Sequence, residues 1–369
     1  MALDTAPIQQ PGRSEELETL QRLFADASRL PRSGFSWCLR SRARGGVGRT
    51  ALAVHAAYQL QEHFPGGQLY VNLRGAERQA LKPAEVLAQL LRALGIPGAL
   101  IPEDIDERAR VYRRRLAKRR VLIVLDNAAD EAQVRPLLPG GGSSAVLVTS
   151  RSKPAGLDTA ATIRLDVLHP DEALDLLGKL AGRARVAGEL EAARAITRLC
   201  GYLPLAVRIA GAKLDAKRHL PLIRFAVQLA DQHRRLDTLH AGDLDLRASF
   251  ALSYQHLPAD QRRLFRLLGL LEEADFPTWV CAALLDCPIG RAVDLTERLV
   301  DAQLLEVVGD DAIGQVRYRF HDLLRVFARE RAGAESHRRA GGRRSDGRSA
   351  ATCRLPQTPP GSWTGVAST

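Results

Sequence analysis

A chain of 369 residues, 46% of them hydrophobic, is long enough for two or three domains with real cores. It holds no run of about 18 uncharged apolar residues, and its first 30 residues lack a charged-then-apolar leader, so a membrane span and a secretory signal are both excluded as readings and a cytoplasmic location is expected. The net charge of +11 is concentrated in two segments, residues 29 to 49 with six arginines and no acid and residues 333 to 369 with six arginines against Glu335 and Asp346, which is not the folded basic stripe of a DNA-reading domain.

Arg13 to Leu30 carries Leu17, Leu20 and Leu23 at helical spacing and predicts a leading helix. Phe35 to Arg42 has only part of the pattern of a first buried strand, with arginines where a central strand would bury its side chains. There follows Ala43-Arg44-Gly45-Gly46-Val47-Gly48-Arg49-Thr50, which is a phosphate loop, G-x-x-x-x-G-K-[ST], except that Ala43 replaces the first glycine and Arg49 the lysine. Such a loop works because glycines turn backbone N–H groups inward on phosphates, the lysine spans the terminal phosphates and the hydroxyl holds Mg2+. Thr50 to Leu60 is rich in helix formers, so the loop opens onto a helix N-terminus, where dipole and free amides favour an anion. About seventy residues on, Val121 to Asp126 is an apolar run ending in a carboxylate, as suits a strand buried on both faces whose end can reach the Mg2+ held by Thr50.

Between and after these motifs strands at 68 to 73, 121 to 126, 144 to 149 and 162 to 167 alternate with helices near 83 to 95 and 106 to 118 and a short helix after Asp130. That alternation predicts an α/β fold, a P-loop NTPase parallel sheet with helices on both faces. From Asp171 the pattern turns helical, through 171–181, 189–200, 203–216 and 222–230. A second helical group begins at Leu244, includes a helix opening with Pro258 in its first turn and another at 291–303, and closes with a two-stranded ribbon (304–308 and 316–320, turning at 309–311) and a helix at 321–331, an order resembling a winged helix. The expected division is an N-terminal extension 1–10, a P-loop nucleotide-binding domain 11–167, a helical domain 168–242, a winged-helix domain 243–332 and a basic disordered tail 333–369. Five scattered cysteines without a C-x-x-C pair read as reduced structural thiols.

Six motifs in order, Gly45 to Thr50, Gly67 to Gly75, Val121 to Ala128, Val146 to Arg151, Cys200 to Leu205 and Phe320 to Arg325, resemble the NB-ARC type of STAND signal-transducing ATPase. The chain looks most like the ATPase core of actinomycete AfsR/SARP-type transcriptional regulators, over about residues 11 to 332. The resemblance implies ADP or ATP with Mg2+ as ligands. It implies that backbone amides of Gly45, Gly46, Val47, Gly48, Arg49, Thr50 and Ala51 wrap the phosphates and that Thr50 and Asp126 stand at Mg2+. Arg151 matches the sensor arginine that feels the terminal phosphate, Pro204 the proline that packs on adenine, and His321 the histidine that contacts the β-phosphate and clamps the last domain over the site, here after Phe320 where many members have methionine. Arg13, after Gly12, matches a Gly-Arg element beside the adenine.

Three departures bear on hydrolysis. Arg49 exchanges a slim ammonium for a planar fork, Ala43 sits where a glycine is wanted, and Asn127 takes the place of the second acid that would serve as general base. The leading expectation is therefore an ADP/ATP-binding switch with weak or absent hydrolysis, acting through other protein domains or self-association, and on DNA only indirectly. The alternatives are a degenerate ATPase core serving as a nucleotide-free interaction scaffold and direct DNA binding through residues 243 to 332. Residues 31 to 44 and 333 to 369 lose apolar periodicity where the family match breaks, and read as out-of-frame segments of a GC-rich gene.

Overall fold

The structure, a computed structural model, describes residues 13–29, 35–41, 46–75, 79–150, 160–232, 234–311 and 314–343. The leading helix α1 (Ser14–Arg29) precedes a sheet of five parallel strands, β1 (Phe35–Ser41), β2 (Gln68–Asn72), β3 (Leu122–Ala128), β4 (Ala145–Ser150) and β5 (Ala160–Leu165), in the order β2–β3–β4–β1–β5. Parallel neighbours cannot be joined by a hairpin, so helices fill the crossovers. Helix α2 (Arg49–Gln59) joins β1 to β2, α3 (Pro83–Ala93) and α4 (Ile105–Leu116) join β2 to β3, and α5 (Glu131–Val134) lies between β3 and β4.

The strand period of two divides the sheet's side chains between two cores. Leu122, Val124, Ala145 and Leu147 pack with α1 and α2 on one face, while Ile123, Leu125, Val146 and Val148 pack with α3 and α4 on the other. Both central strands are buried along almost their whole length, which explains why they read as continuous apolar runs. Truncating one of these side chains, as in Ile123→Ala, costs about 2–5 kcal/mol.

The chain then becomes helical, through α6 (Pro170–Ala181), α7 (Arg183–Gly188), α8 (Leu190–Leu199), α9 (Pro204–Ala216), α10 (Leu222–Ala230) and α11 (Arg235–Thr238). A two-residue hairpin, β6 (His240–Ala241) with β7 (Leu244–Asp245), leads to α12 (Leu246–Gln255) and α13 (Ala259–Gly269). Strand β8 (Phe276–Pro277), α14 (Thr278–Leu285), α15 (Ile289–Asp301), β9 (Glu306–Asp310), β10 (Val316–Arg319) and α16 (Asp322–Arg343) complete it. The apolar core on the α2 face of the sheet runs without a break through these helices to α16.

Several expectations need correction. The stretch before the loop, poor in strand pattern, is strand β1 between β4 and β5, with Trp37 level with Leu147 and Ala161. Ladder pairing on both edges is a backbone property, so an irregular side-chain pattern does not forbid it. The ribbon is three-stranded, because Phe276–Pro277 pairs with β10 as a segment too short to carry a period. Its reversal comes later than 309–311, since β9 runs through Asp310 and Asp311 N donates to Gln315 O. Helices α7 and α14 were not anticipated. The last helix continues past 332 to Arg343, where Ala, Glu and Arg are good helix formers, so the expected unstructured tail does not begin at 333. The extension 1–10, residues 31–34 and 42–45, and the tail beyond 343 lie outside the described residues.

Candidate functional site at the carboxyl edge of the sheet

In an open parallel sheet, ligands sit beyond the carboxyl ends of the strands. Asp126 and Ser150 stand at those ends of β3 and β4, and α2 begins there as well. Gly46 (φ 96°) and Gly48 (φ 87°) are left-handed, a conformation that carries the chain tightly into α2. Helix α2 has Gly48 as its cap, no side-chain cap and no acid in its first turn. Its opening amides and positive dipole end are thus left for a ligand or solvent.

The carboxylate of Asp126 is 2% exposed and receives three hydroxyls. Thr50 Oγ1 donates to its Oδ1 at 2.9 Å, Thr149 Oγ1 to Oδ1 at 2.5 Å, and Tyr70 Oη to Oδ2 at 3.0 Å. Burial, and then the Asp126 charge, push the Tyr70 phenol well above its usual range, so it stays a donor. Asn127, next in the chain, has φ 56° at an irregularity in the β3–β4 register, and its N–H donates to Thr149 Oγ1 at 2.8 Å. Asparagine tolerates that left-handed geometry better than most residues.

The rest of the chain closes on this edge. Buried Arg13 donates to Val47 O at 3.3 Å and to Asp166 O, tying the loop to the end of β5, and pairs with Glu16 at 2.7 Å. Pro204, buried, opens α9, and the next amide, Leu205 N, donates to Gly46 O at 3.1 Å. His321 joins two helical regions: Leu323 N donates to its Nδ1 at 3.2 Å, which leaves Nε2 as the donor to Gly201 O at 2.9 Å. Phe320 fixes that position, being 1% exposed and packed edge-on against Phe265 with ring centroids 5.2 Å apart. Between these regions lies a cavity of about 630 Å³ walled by Asp166, Gly201, Tyr202, Gln303 and His321, a size typical of small-ligand pockets.

Arg49 points elsewhere than a phosphate-loop lysine should. Its Nη1 donates to Ser150 O at 3.2 Å and Gln303 Oε1 at 3.4 Å, so it links α2 to the end of β4 and to the turn after α15. Gln303 is 6% exposed and holds φ 61°, an unusual backbone for glutamine. For a nucleotide with Mg2+, the hydroxyl, the carboxylate and the helix-opening amides fit, whereas Arg49 has its Nη1 engaged by protein acceptors.

Thus Arg13, Gly46, Val47, Gly48, Arg49, Thr50, Ala51, Asp126, Pro204 and His321 line or border one edge of the fold. Gly45, Ala43 and Arg151 lie outside the described residues. Sequence reasoning missed Tyr70, Thr149, Gly201 and Gln303 as members. Tyr70, Thr149 and Gly201 stand inside the quoted motifs, but nothing in the spacing around Gln303 marks it.

The NB-ARC domain family model matches residues 31–187. The chain is 50% identical over 285 residues to the regulatory protein AfsR of Streptomyces griseus, covering 77% of this chain and 29% of that one. It is 46% identical over 345 residues to AfsR of Streptomyces coelicolor, covering 93% and 34% respectively, so it spans about a third of the length of these relatives. Among solved structures it is similar to a STAND protein with a tetratricopeptide repeat sensor from Pyrococcus horikoshii, at 18% identity and a TM-score of 0.39, over 88% of this chain and 44% of that one.

Proposed function

This chain is an NB-ARC type STAND ATPase core resembling that of the AfsR regulators, and from that premise we propose that it is the ADP/ATP-binding switch of a cytoplasmic transcriptional regulator. The observation that carries the reading is the Thr50–Asp126 pair, 2.9 Å apart, at a left-handed glycine that opens an uncapped helix. Residues 11–167 form the nucleotide-binding domain, 168–242 the helical domain and 243–332 a winged-helix domain whose wing is the β9–β10 ribbon.

The amides of Gly46 to Ala51 would hold the phosphates, Thr50 and Asp126 would hold Mg2+, Pro204 would pack on the base and His321 would contact the β-phosphate. Bound Mg2+ supplies charge neutralisation. Tyr70 and Thr149 orient the Asp126 carboxylate. Arg151 is the proposed sensor of the terminal phosphate. Because Gly48, Pro204 and His321 come from three parts of the chain, a ligand touching all three favours the closed arrangement, and only a difference in affinity between closed and open forms moves the switch. Arg49 and Asn127 leave hydrolysis slow or absent, since neither a slim cation nor a second acid is available. Activation passes to other protein domains or a second copy of the chain, and to DNA through a separate DNA-binding region.

One observation favours a second reading, a nucleotide-free scaffold: Arg49 is already bonded to Ser150 and Gln303. A direct DNA-binding role gains less support, because Arg291, Arg317 and Arg319 are paired with Asp260, Asp275 and Glu306. Nucleotide extraction from protein purified without added ligand, beside Arg49→Lys, separates the first two. ADP in the native protein supports the switch; ADP in the variant alone supports the scaffold.

A further inference from the structure

A second cavity, of about 540 Å³, lies between the helical region and α16, next to the one just described and sharing Arg198 and Asp322 with it. Four arginines, Arg198, Arg235, Arg325 and Arg329, line it together with the acids Glu272 and Asp322. We propose that this cavity binds a small phosphate-bearing anion, at a site distinct from the loop and Asp126.

The way the arginines are held carries the inference. Arg235 donates to Leu229 O at 2.6 Å and Ala230 O at 3.3 Å. Arg325 donates to the carbonyls of Glu272, Glu273 and Ala274, at 3.4, 2.8 and 3.1 Å. Arg329 donates to Gly269 O at 2.9 Å and Leu271 O at 3.3 Å, and to Gln232 Oε1 at 2.8 Å. Carbonyl and amide oxygens orient a guanidinium without cancelling its charge. Among the described residues none of the four makes an ion pair, although other arginines of the same region do, as Arg247 does with Glu330 and Arg317 with Asp275.

Burial bears on two of these arginines as well. Burial presses the Arg235 and Arg325 guanidiniums toward lower pKa, in spite of the opposing Asp322 charge near both and Asp231 near Arg235. Arginine does not deprotonate in proteins, so four guanidiniums beside the carboxylates of Glu272 and Asp322 leave an excess of positive charge that an anion would offset. Fork-shaped donors suit an oxyanion with several oxygens, as a phosphate group is. A half-open hollow of this volume has room for a phosphate ester of nucleotide size.

Calorimetric titration of the full chain with inorganic pyrophosphate tests the proposal, using Arg329→Gln and, for the loop, Thr50→Ala. Binding should persist in Thr50→Ala and weaken at least tenfold in Arg329→Gln at this site. Since Arg329 also ties Gly269 and Leu271, Arg198→Gln is the companion variant: that side chain is exposed, and its loss breaks no hydrogen bond among the described residues. It should weaken binding at least threefold with an unchanged circular dichroism spectrum. No binding to the native chain, or binding unchanged in both arginine variants whatever Thr50→Ala does, overturns the proposal. Because Thr50→Ala reports on the loop alone, failure here leaves the nucleotide-switch reading to its own test.

Discussion

Replacing Gly201 with alanine probes the contact by which the last helical region reaches the middle one. Gly201 is left-handed at φ 58°, and a Cβ there would come within 2.0 Å of His321 Cε1 and 2.3 Å of its Nε2. The left-handed backbone alone costs an alanine about 1–2 kcal/mol. Crowding of the ring adds about 1–3 kcal/mol, and the His321–Gly201 hydrogen bond, lost as the ring swings away, about 0.5–1.5 kcal/mol. The expected total is about 2.5–6.5 kcal/mol, read by urea unfolding followed by circular dichroism. A double-mutant cycle isolates the ring's share: in a His321→Ala background the same glycine change should cost only the backbone amount, about 1–2 kcal/mol. Equal costs in the two backgrounds, within about 0.5 kcal/mol, would refute the claim that His321 seats on Gly201.

Tyr70→Phe removes one of three donors to a buried carboxylate and should destabilise the chain by about 1.5–3 kcal/mol in chemical denaturation, the range for hydrogen bonds to charged groups. Gln303→Gly relieves a left-handed glutamine while breaking the Arg49 contact, so stability should change by less than about 1 kcal/mol, and Arg49, released, should bind phosphate more tightly in a nucleotide titration. Burial pushes the Cys200 thiol up to about 12 and Cys281 up to about 11. Both folded values lie above the unfolded thiol value, so this stabilisation is whole below pH about 9 and is lost as pH rises through about 11 to 12; stability measured against pH should fall in that window, more shallowly in Cys200→Ala. At pH 8 iodoacetamide should label Cys287, which is partly exposed, before Cys200 or Cys281, by peptide mass analysis.

The sheet and most helices could be read in the sequence because their signals are local. Val121 to Asp126 announces a buried strand by its own apolar run, and Pro83, Pro170 and Pro204 mark helix starts where a missing N–H does no harm. The loop and Asp126 were legible for the same reason: each is a short pattern tied to one chemistry. Contacts between distant segments were not. Gln303 meets Arg49 across 254 positions, and Gly201 meets His321 across 120, through tertiary packing that no period encodes. The strand β8 is two residues long, and β1 is a strand by virtue of neighbours on both edges more than by its own pattern. The four arginines of the second cavity come from 198, 235, 325 and 329, and only folding gathers them.

The central claim is that a purine nucleoside diphosphate lodges where the loop, the start of α9 and His321 converge. Urea unfolding of the native chain over a series of Mg·ADP concentrations tests it most directly. Binding to the folded form alone should raise stability logarithmically with ligand, by about 4.1 kcal/mol at 1,000 times the dissociation constant, and Asp126→Ala should flatten the response. A midpoint that stays constant across the series, in the native chain and in Arg49→Lys alike, contradicts it.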